Sequence, residues 1–254
     1  MTRLSVNLNK VALVRNARDG QRPSVQHAAR ICVDAGAEGI TLHPRPDGRH
    51  ALAEDVFELK EWLPVELNVE GNPFAEDEVV SGYHYPGFME ILRQAQPTQA
   101  TLVPDAAHQR TSDHGWMLTK DERSRLRPVV DELKDAGCRV SLFMDPDLEA
   151  IERAAKLGAD RIELYTEEYA KAFEDSRTED VLPRYISAAE VAHDLGLGVN
   201  AGHDLDVENL GLFLQHVPHV LEVSIGQAIV ADALEYGLAQ TVRRYLKVIG
   251  QSSD

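Results

Sequence analysis

The chain has 254 residues, a formal net charge of −16 and two cysteines, and these values already narrow its class. A chain of this length can bury the full hydrophobic core of one domain. The acidic balance disfavours binding to nucleic acid or to anionic membranes, because both present phosphate charges. No apolar run is long enough to span a membrane, and the N-terminus MTRLSVNLNK lacks the apolar stretch of a signal peptide. We therefore expect a cytoplasmic protein in which Cys32 and Cys138 are reduced core thiols.

Four segments repeat one pattern, in which a helical run is followed by a glycine turn and then by a strand. The segments are 28–43, 129–145, 150–166 and 188–204. Each has a glycine where a helix requires a left-handed C-terminal residue, namely Gly36, Gly137, Gly158 and Gly196. The pattern predicts an α/β fold with its chemistry at the carboxyl ends of the strands.

Taken in chain order, the whole sequence gives eight strands and eight helices. The strands are predicted at 5–9, 40–43, 65–70, 100–104, 139–144, 161–165, 198–203 and 220–226. The helices are predicted at 24–35, 53–62, 87–95, 123–136, 147–157, 186–195, 208–217 and 228–248. This alternation predicts one (β/α)8 TIM barrel domain over residues 1–254. A doubly wound open sheet is the alternative, but fewer strands would suffice for it.

Local signals refine the helix starts and identify one insertion. Asp145 before Pro146 predicts a helix N-cap, and Ser187 with Glu190 fits a capping box. Residues 71–86 form an irregular insertion after the third strand. Because loops after strands lie on the catalytic face of a barrel, we expect this insertion to be a lid or an interface element.

Two basic clusters follow the first two strands in an otherwise acidic chain. Residues 1–18 contain no acidic residue, and the cationic side chains of the two clusters are Arg3, Lys10, Arg15, Arg18, Arg45, Arg49 and His50. Clustered cations at strand ends favour small anionic substrates, above all phosphates. The alternative is that these arginines pair with surface acids.

Four further ionisable residues lie at strand ends: His43, Glu70, Glu163 and His203. A carboxylate at the end of an apolar strand should have a raised pKa, which suits a general base near neutral pH. Glu163 points into the barrel if its neighbours Ile162 and Leu164 pack against helices. The alternatives are hydrogen-bonded structural histidines and a salt bridge from Glu70 to an arginine. Because the four residues lie on separate strands without a ligand motif, no metal site is predicted.

Glycines at the ends of the last two strands provide a second indication of anion binding. Gly202 ends the seventh strand, and Gly226 precedes the last helical run. Backbone N–H groups can approach a phosphate closely where no Cβ intervenes. The two positions are typical of the phosphate cradle of TIM barrels.

These motifs together resemble the pyridoxine 5′-phosphate synthase family of the deoxyxylulose-dependent vitamin B6 pathway. The resemblance runs nearly end to end, through VNLNKVALVRNAR, GITLHPRPDGRH, ELNVE, LVPD, VSLFMD, IELYT, VNAGHDL and SIGQAI. It implies a (β/α)8 barrel assembled as a homo-octamer. It also implies condensation of 3-amino-1-hydroxyacetone 1-phosphate with 1-deoxy-D-xylulose 5-phosphate to pyridoxine 5′-phosphate, inorganic phosphate and water, without a metal or organic cofactor.

The resemblance also assigns roles to residues. His43, Glu70 and His203 match the proton-transfer residues, and Glu163 matches the carboxylate that stabilises charged intermediates. The expected substrate contacts are Asn7, Asn9, Lys10, Arg18, Arg45, His50, Thr111, Gly202, Asp204, Gly226 and Gln227.

The chain departs from the commonest family pattern at a few positions. Asn9 and Lys10 stand where Asp-His is expected, Asp204 stands for a glycine, and Gln227 stands for a histidine. The four expected catalytic groups are unaffected, which predicts an active subgroup of the family. Two alternatives remain open. One is another barrel enzyme for sugar phosphates, such as an epimerase or an aldolase, and the other is a non-catalytic paralogue that binds phosphorylated ligands.

Overall fold

The computed structural model of the protein describes residues 1–18, 20–105 and 112–250. Its strands are β1 (Arg3–Asn7), β2 (Gly39–Leu42), β3 (Glu66–Gly71), β4 (Asp77–Val80), β5 (Tyr83–Pro86), β6 (Gln99–Leu102), β7 (Arg139–Met144), β8 (Arg161–Tyr165), β9 (Gly198–His203) and β10 (Val220–Ile225). Its helices are α1 (Asn9–Asn16), α2 (Val25–Asp34), α3 (Ala53–Lys60), α4 (Phe88–Ala95), α5 (Lys120–Asp135), α6 (Leu148–Leu157), α7 (Glu167–Glu174), α8 (Thr178–Asp194), α9 (Leu210–His216), α10 (Gln227–Tyr236) and α11 (Leu238–Val248).

Eight of these strands close into a parallel barrel in the order β1-β10-β9-β8-β7-β6-β3-β2. The barrel closes where β1 pairs with β10, with Ser5 opposite Ser224. Helices cover its outer surface between successive strands, as expected for parallel connections. The fold is therefore the predicted (β/α)8 TIM barrel, and the open sheet is excluded.

Alternation along the strands separates an apolar outer layer from a polar interior. Ile162 and Leu164 are fully buried and belong to the main hydrophobic cluster, which lies between strands and helices. Because side chains alternate along a strand, Glu163 between them faces the barrel interior, as predicted.

The interior is held by hydrogen bonds between short polar side chains rather than by the branched apolar residues common in TIM barrels. Thr41 lies at the centre, with Oγ1 2.7 Å from Ser5 Oγ, and it accepts hydrogen bonds from Asn68 Nδ2 at 3.3 Å and Ser224 Oγ at 3.2 Å. Thr101 donates to Asn68 Oδ1 at 3.0 Å. This network extends polar character through the barrel toward the carboxyl ends of the strands.

The repeated glycine turns have the backbone conformation that the sequence predicts. The φ angles are +108° at Gly36, +78° at Gly137, +90° at Gly158 and +80° at Gly196. A side chain is strained in this region, so glycine allows the chain to leave each helix and enter the next strand.

Several helices differ from the prediction. The first strand ends at Asn7 instead of residue 9, and α1 follows almost at once without a side-chain cap. Helix α7 is an addition, and α8 begins at Thr178 instead of 186. The last predicted helix is two helices separated by Gly237, whose φ of +77° interrupts the helical backbone.

Two predicted helix caps are wrong. Asp147, not Asp145, is the N-cap of α6, with its carboxylate accepting from Ala150 N at 2.8 Å. Asp145 instead accepts from Gly115 N at 3.1 Å and braces the segment before α5. Ser187 lies inside α8, so it cannot form the predicted capping box.

The insertion contains a hairpin formed by β4 and β5, with Glu78 paired to Tyr85. Its aromatic side chains pack against other parts of the chain. Tyr85 is buried, and Tyr83 Oη accepts a hydrogen bond from Ala53 N at 2.9 Å. Phe74 contacts Trp116 edge-on, with ring centroids 6.2 Å apart.

Within the described residues, we find no helix with the length and apolar character needed to cross a membrane. Cys32 and Cys138 are free and buried, as predicted.

Candidate active site

A cavity of about 260 Å³ lies at the carboxyl ends of the barrel strands. Its lining contains three histidines, four carboxylates of the barrel and its loops, and three cationic side chains. The lining residues are Asn7, Asn9, Lys10, His43, Arg45, Arg49, His50, Glu70, Val103, Asp105, Ser112, Phe143, Glu163, His203, Asp204, Ser224, Gly226 and Gln227.

His43 and Glu70 occupy neighbouring strands on one side of this cavity. His43 follows β2 directly, and its backbone N–H donates to Asn9 Oδ1 at 2.8 Å. Its ring lies between two carboxylates, with Nδ1 4.0 Å from Glu70 Oε2 and Nε2 3.8 Å from Asp105 Oδ2. Asn7 Nδ2 donates to Glu70 Oε2 at 3.3 Å. These distances place a base and its neighbour within a small side-chain movement of proton transfer.

Burial sets the protonation of this pair. It raises the pKa of Glu70 well above its ordinary value, assisted by the carboxylates of Glu163 and Asp105. Burial, with the charges of Arg45 and Arg49, lowers the pKa of His43 to about 3. Burial therefore favours the protonated carboxyl of Glu70, and it keeps the His43 imidazole neutral at pH 7.

Glu163 approaches the same cavity from β8. Burial and the nearby Glu222 carboxylate raise its pKa to about 8, opposed by a hydrogen bond from Thr101. Its Oε2 atom is buried and has no hydrogen-bond partner among the described residues. Gly202 makes room for it, because a Cβ there would lie 2.6 Å from Glu163 Oε1. An acceptor held in this way can receive a hydrogen bond from a bound substrate.

His203, at the end of β9, faces the cavity in a strained conformation. Its φ is +92°, a region that non-glycine residues rarely adopt. The ring packs edge-on against Tyr165, with centroids 5.1 Å apart. Its Nδ1 lies 2.5 Å from Asp204 Oδ2.

The two pairs of candidate proton-transfer residues, His43 with Glu70 and Glu163 with His203, lie on opposite sides of the barrel mouth. In the closed strand order β1-β10-β9-β8-β7-β6-β3-β2, β2 and β3 are diametrically opposite β8 and β9. A ligand between them would have His43 and Glu70 on one side and Glu163 and His203 on the other. This geometry allows protons to be exchanged at two ends of one substrate.

Cationic side chains surround this carboxylate-rich centre. Arg45 is 3% exposed and donates to Asp105 Oδ2 at 3.0 Å. Ser112 Oγ donates to the same oxygen at 3.0 Å, so Asp105 is held from two sides. Lys10 also lines the cavity, and partial burial and Arg49 lower its pKa.

The start of helix α10 completes the lining. Gly226 is the N-cap of this helix, and Gln227 is its first residue. The first N–H groups of a helix lack intrahelical partners and carry the positive end of its dipole, which suits a phosphate. Gly226 also packs tightly, since a Cβ there would lie 3.0 Å from Asn7 Cβ.

Comparison with known proteins identifies the family to which this chain belongs. The sequence profile of the family described as "Pyridoxal phosphate biosynthesis protein PdxJ" matches residues 4–251. The chain belongs to the PdxJ family. It is 52% identical over 251 residues to the pyridoxine 5′-phosphate synthase of Xanthomonas campestris pv. campestris (strain B100), covering 98% of this chain and 96% of that protein. It is 47% identical to the same-named protein of Christiangramia forsetii, covering 98% of this chain and 100% of that protein.

Solved structures of similar shape support the PdxJ barrel at the level of the fold. One is N-(5′-phosphoribosyl)anthranilate isomerase from Pyrococcus furiosus, with a TM-score of 0.60, 13% identity, and coverage of 99% of this chain and 100% of that one. Another is 3-keto-L-gulonate-6-phosphate decarboxylase from Vibrio cholerae, with a TM-score of 0.61, 14% identity, and coverage of 100% and 99%. At such low identity these likenesses concern the barrel alone.

Most residues that the sequence singles out as PdxJ site residues do line the cavity. Three of the predicted site residues do not line the cavity. Arg18 is exposed outside the lining, Gly202 lies behind Glu163, and Thr111 lies outside the described residues. The basic cluster of the N-terminus is also dispersed, since Arg3 bonds to Glu66 and Arg15 to Asp55.

The sequence alone did not point to Asp105, Ser112 or Phe143 as cavity residues of this PdxJ barrel. Asp105 follows β6 in the motif LVPD, so its place after a strand end was the available signal. Ser112 and Phe143 carry no comparable signal, because one lies in a loop and the other is one apolar residue within β7.

Proposed function

We propose that this chain is a pyridoxine 5′-phosphate synthase. It condenses 3-amino-1-hydroxyacetone 1-phosphate with 1-deoxy-D-xylulose 5-phosphate to give pyridoxine 5′-phosphate, inorganic phosphate and water. The observation that carries this proposal is the arrangement of four proton-transfer groups on two opposite strand pairs around one cavity, in a chain of the PdxJ family. The names of the curated relatives support the same activity.

The chemistry explains why groups are needed on both sides. Imine formation joins the amine nitrogen of one substrate to the ketone carbon of the other, and the carbonyl oxygen leaves as water. Loss of phosphate then needs a base at carbon and donors for the leaving anion. Ring closure removes further water and produces the aromatic pyridine. Each proton transfer resets a group for the next step.

We assign the opening proton transfers to His43 and Glu70. The His43 imidazole enters the reaction in its neutral form, since burial lowers its pKa to about 3, and it accepts a proton from the strongly acidic groups that form during the condensation. Burial raises the pKa of Glu70, which favours the protonated carboxyl as the donor. Glu163 then stabilises positive charge on the condensed intermediate, and His203 exchanges protons on the opposite side.

Two groups of residues bind the phosphates in this proposal. Lys10, Arg45 and His50 contact the deoxyxylulose phosphate, together with Asn9 and Thr111. Asn7, Gly226 and Gln227 contact the aminoacetone phosphate, together with Arg18. Support comes from the cationic lining and from the start of α10. We assign Gly202 to the placement of Glu163 rather than to substrate contact, because Glu163 Oε1 occupies the space that a Cβ would take.

We also propose that Asn9 and Lys10 mark a subgroup of the family. Asn9 is well suited to its position, because Oδ1 accepts from His43 N at 2.8 Å while its own N–H donates to Asn7 Oδ1 at 2.9 Å. Lys10 keeps a cation at the cavity wall. Neither change removes a proposed proton-transfer group.

The test is to incubate the purified protein with both phosphorylated substrates and to follow pyridine absorbance and phosphate release together. We expect product only when both substrates are present, with or without a chelator. Glu70→Gln is the inactive reference, and Glu66→Gln on the same strand is the matched control at the other end of the barrel. Phosphate release without a pyridine product would contradict the assignment.

One observation supports a second candidate, an aldolase that forms an imine with its substrate. Lys10 lines the cavity, and burial and Arg49 lower its pKa, which favours the nucleophilic amine. Borohydride treatment in the presence of a ketose phosphate, followed by mass spectrometry, would attach the sugar to Lys10 in an aldolase. No adduct is expected for the synthase.

We further propose that the protein is cytoplasmic and assembles as a homo-octamer. Support for assembly comes from an apolar groove along α1, α2 and α10, beside which Val14 is 57% exposed and Leu234 is 86% exposed. Support for a reducing compartment comes from the buried cysteines, since burial raises the pKa of Cys32 to about 12 and of Cys138 to about 11. Light scattering at micromolar concentration tests the assembly, and a monomer would contradict it.

A further inference from the structure

The three histidines of the cavity differ in their carboxylate partners. His203 Nδ1 lies 2.5 Å from Asp204 Oδ2, which is hydrogen-bonding distance. His43 is 3.8 Å and 4.0 Å from its two nearest carboxylates, beyond that distance. Among the described residues, His50 has no partner for its buried Nδ1 atom. Among these three cavity histidines, only that of β9 lies within hydrogen-bonding distance of a carboxylate of the described residues.

The loop that carries Asp204 is braced. Asn209 Nδ2 donates to the Asp204 carbonyl oxygen at 3.2 Å, and Asn209 Oδ1 accepts from Asp206 N at 2.9 Å. Tyr169 Oη donates to the Asn209 carbonyl oxygen at 2.7 Å from the buried side. Asn209 itself is 2% exposed. The backbone from Asp204 to Asn209 is thus held in place relative to the barrel.

We propose that Asp204 is a positioning residue for His203, which holds the ring with its proton on Nδ1 and leaves Nε2 to exchange protons with the substrate. This inference rests on the proposed function, because it takes His203 to be a proton-transfer residue. A carboxylate that accepts from one imidazole nitrogen fixes the tautomer and orientation of the ring and stabilises the imidazolium. At φ of +92° the backbone of His203 is strained, so an additional contact on its side chain helps to maintain the orientation.

Charge favours this role over contact with a phosphate. Asp204 lines a cavity whose cations serve anionic substrates, and a carboxylate aimed at a phosphate would repel it. When the His203 ring is an imidazolium, its positive charge compensates the Asp204 carboxylate, which then lowers substrate affinity only a little. The residue therefore acts on His203 rather than on the substrate.

The direct test is the tautomer of His203, measured by long-range ¹H–¹⁵N NMR at a pH where the ring is neutral. In the wild-type protein we expect the Nδ1–H form, and in Asp204→Ala a shift toward the commoner Nε2–H form. Asp77→Asn is the control, because it removes the carboxylate from an exposed His–Asp pair in which His84 Nε2 is 2.8 Å from Asp77 Oδ2. An Nε2–H tautomer in the wild type would overturn the proposal. So would a tautomer that is unchanged in Asp204→Ala.

Kinetics separate positioning from substrate binding. For Asp204→Ala we expect kcat to fall by about tenfold or more, a part of what a general acid–base group contributes, while KM stays within about threefold. Asp77→Asn should leave both constants unchanged. A large rise in KM with normal kcat would show substrate contact and overturn the positioning role. If the wild-type protein has no turnover with the two substrates, the proposed function fails, whereas the tautomer measurement still decides on the pair.

Discussion

Strand β3 carries a glutamate near each end, half-buried at the amino end and buried at the carboxyl end, and the two have opposite electrostatic surroundings. Glu66, at the amino end, is bonded by Arg139, and Arg3 Nη1 lies 2.6 Å from Glu66 Oε1. Although burial opposes it, these two arginines lower the pKa of Glu66. Close by, Arg161 Nη1 lies 3.3 Å from Glu222 Oε2. Each carboxylate of this end has guanidinium partners, although at Glu222 burial outweighs Arg161 and Arg139 and raises the pKa.

Glu70 stands four residues further along the same strand, where the nearest ionisable groups are a neutral histidine and other carboxylates. Burial and Glu163 raise its pKa, which favours the protonated carboxyl. The comparison shows that a buried charge near a counter-charge serves the fold, whereas a buried acid without one is available for chemistry.

The largest effect should follow from Glu70→Gln. The amide keeps the size of the side chain and can still accept from Asn7, but it cannot transfer the proton. We expect kcat to fall about 10²-fold or more with the substrate affinity retained. Steady-state kinetics with both substrates measures this change, and Glu66→Gln should leave kcat nearly unchanged. Comparable losses in the two variants would show that the ends of the barrel are not functionally distinct.

The next effect belongs to the amino end and concerns stability. Arg161→Met removes a guanidinium that donates to Asn200 Oδ1 at 3.0 Å and neutralises Glu222. A buried carboxylate that loses its partner costs about 3 kcal/mol of unfolding free energy. Urea unfolding should show this loss, and kcat of the folded fraction should be unchanged. A normal midpoint would mean that Arg139, 4.0 Å from Glu222, compensates alone.

Much of the carboxyl end could be predicted from the sequence, because strand alternation and strand ends are local features. The position of Glu163 followed from its apolar neighbours Ile162 and Leu164. The strand-end residues His43, Glu70 and His203 were placed by the same rule. Their convergence on one cavity then required only the closure of the barrel.

What the sequence could not provide depends on contacts between distant or weakly patterned segments. Helix α1 has no side-chain cap, and few of its residues are buried, so its eight residues carry little periodic signal. The bond between Arg45 and Asp105 joins residues 60 positions apart. The pairing of Asp204 with His203 depends on ring orientation at a positive φ, which no pattern encodes.

A pH-dependent effect on stability is expected at Glu163. Its pKa is about 8 in the folded protein, against an ordinary value of 4.5. Between these values the folded protein holds a proton that the unfolded chain has lost. Unfolding then releases a proton, and the stability contributed by Glu163 falls as the pH rises from about 4.5 to about 8.

Glu163→Gln removes this loss, so the variant should gain stability relative to the wild type as the pH rises through that window. Between the two pKa values the difference should grow by up to about 1.4 kcal/mol for each pH unit, so the relative stability of the variant should be several kcal/mol higher near pH 8 than near pH 4.5. The hydrogen bonds that a buried amide needs change the stability of the variant equally at both pH values, so they do not affect this difference. Thermal unfolding at the two pH values tests the sign, and a variant that loses stability at the higher pH would contradict the raised pKa.

The smallest effect should come from Tyr83→Phe, at a contact of the carboxyl end that is structural. Tyr83 Oη accepts from Ala53 N at 2.9 Å, and its ring covers Gly48, where a Cβ would lie 2.7 Å from Tyr83 Cδ1. The hairpin thereby packs on the loop that carries Arg45 and His50. Losing one hydrogen bond should cost about 1 kcal/mol in the free energy of unfolding. Because the ring remains over the loop, kcat and KM should each stay within about twofold of the wild-type values. A twofold change corresponds to less free energy than a shift of half a pKa unit, which is about 0.7 kcal/mol.

Gly48→Ala is the contrasting variant, since it displaces the ring and strains a φ of +59°, and it should raise KM for the deoxyxylulose phosphate. If Tyr83→Phe instead lowered kcat tenfold, the hydroxyl would take part in the chemistry, and the carboxyl end could not be divided into bracing contacts and reacting groups.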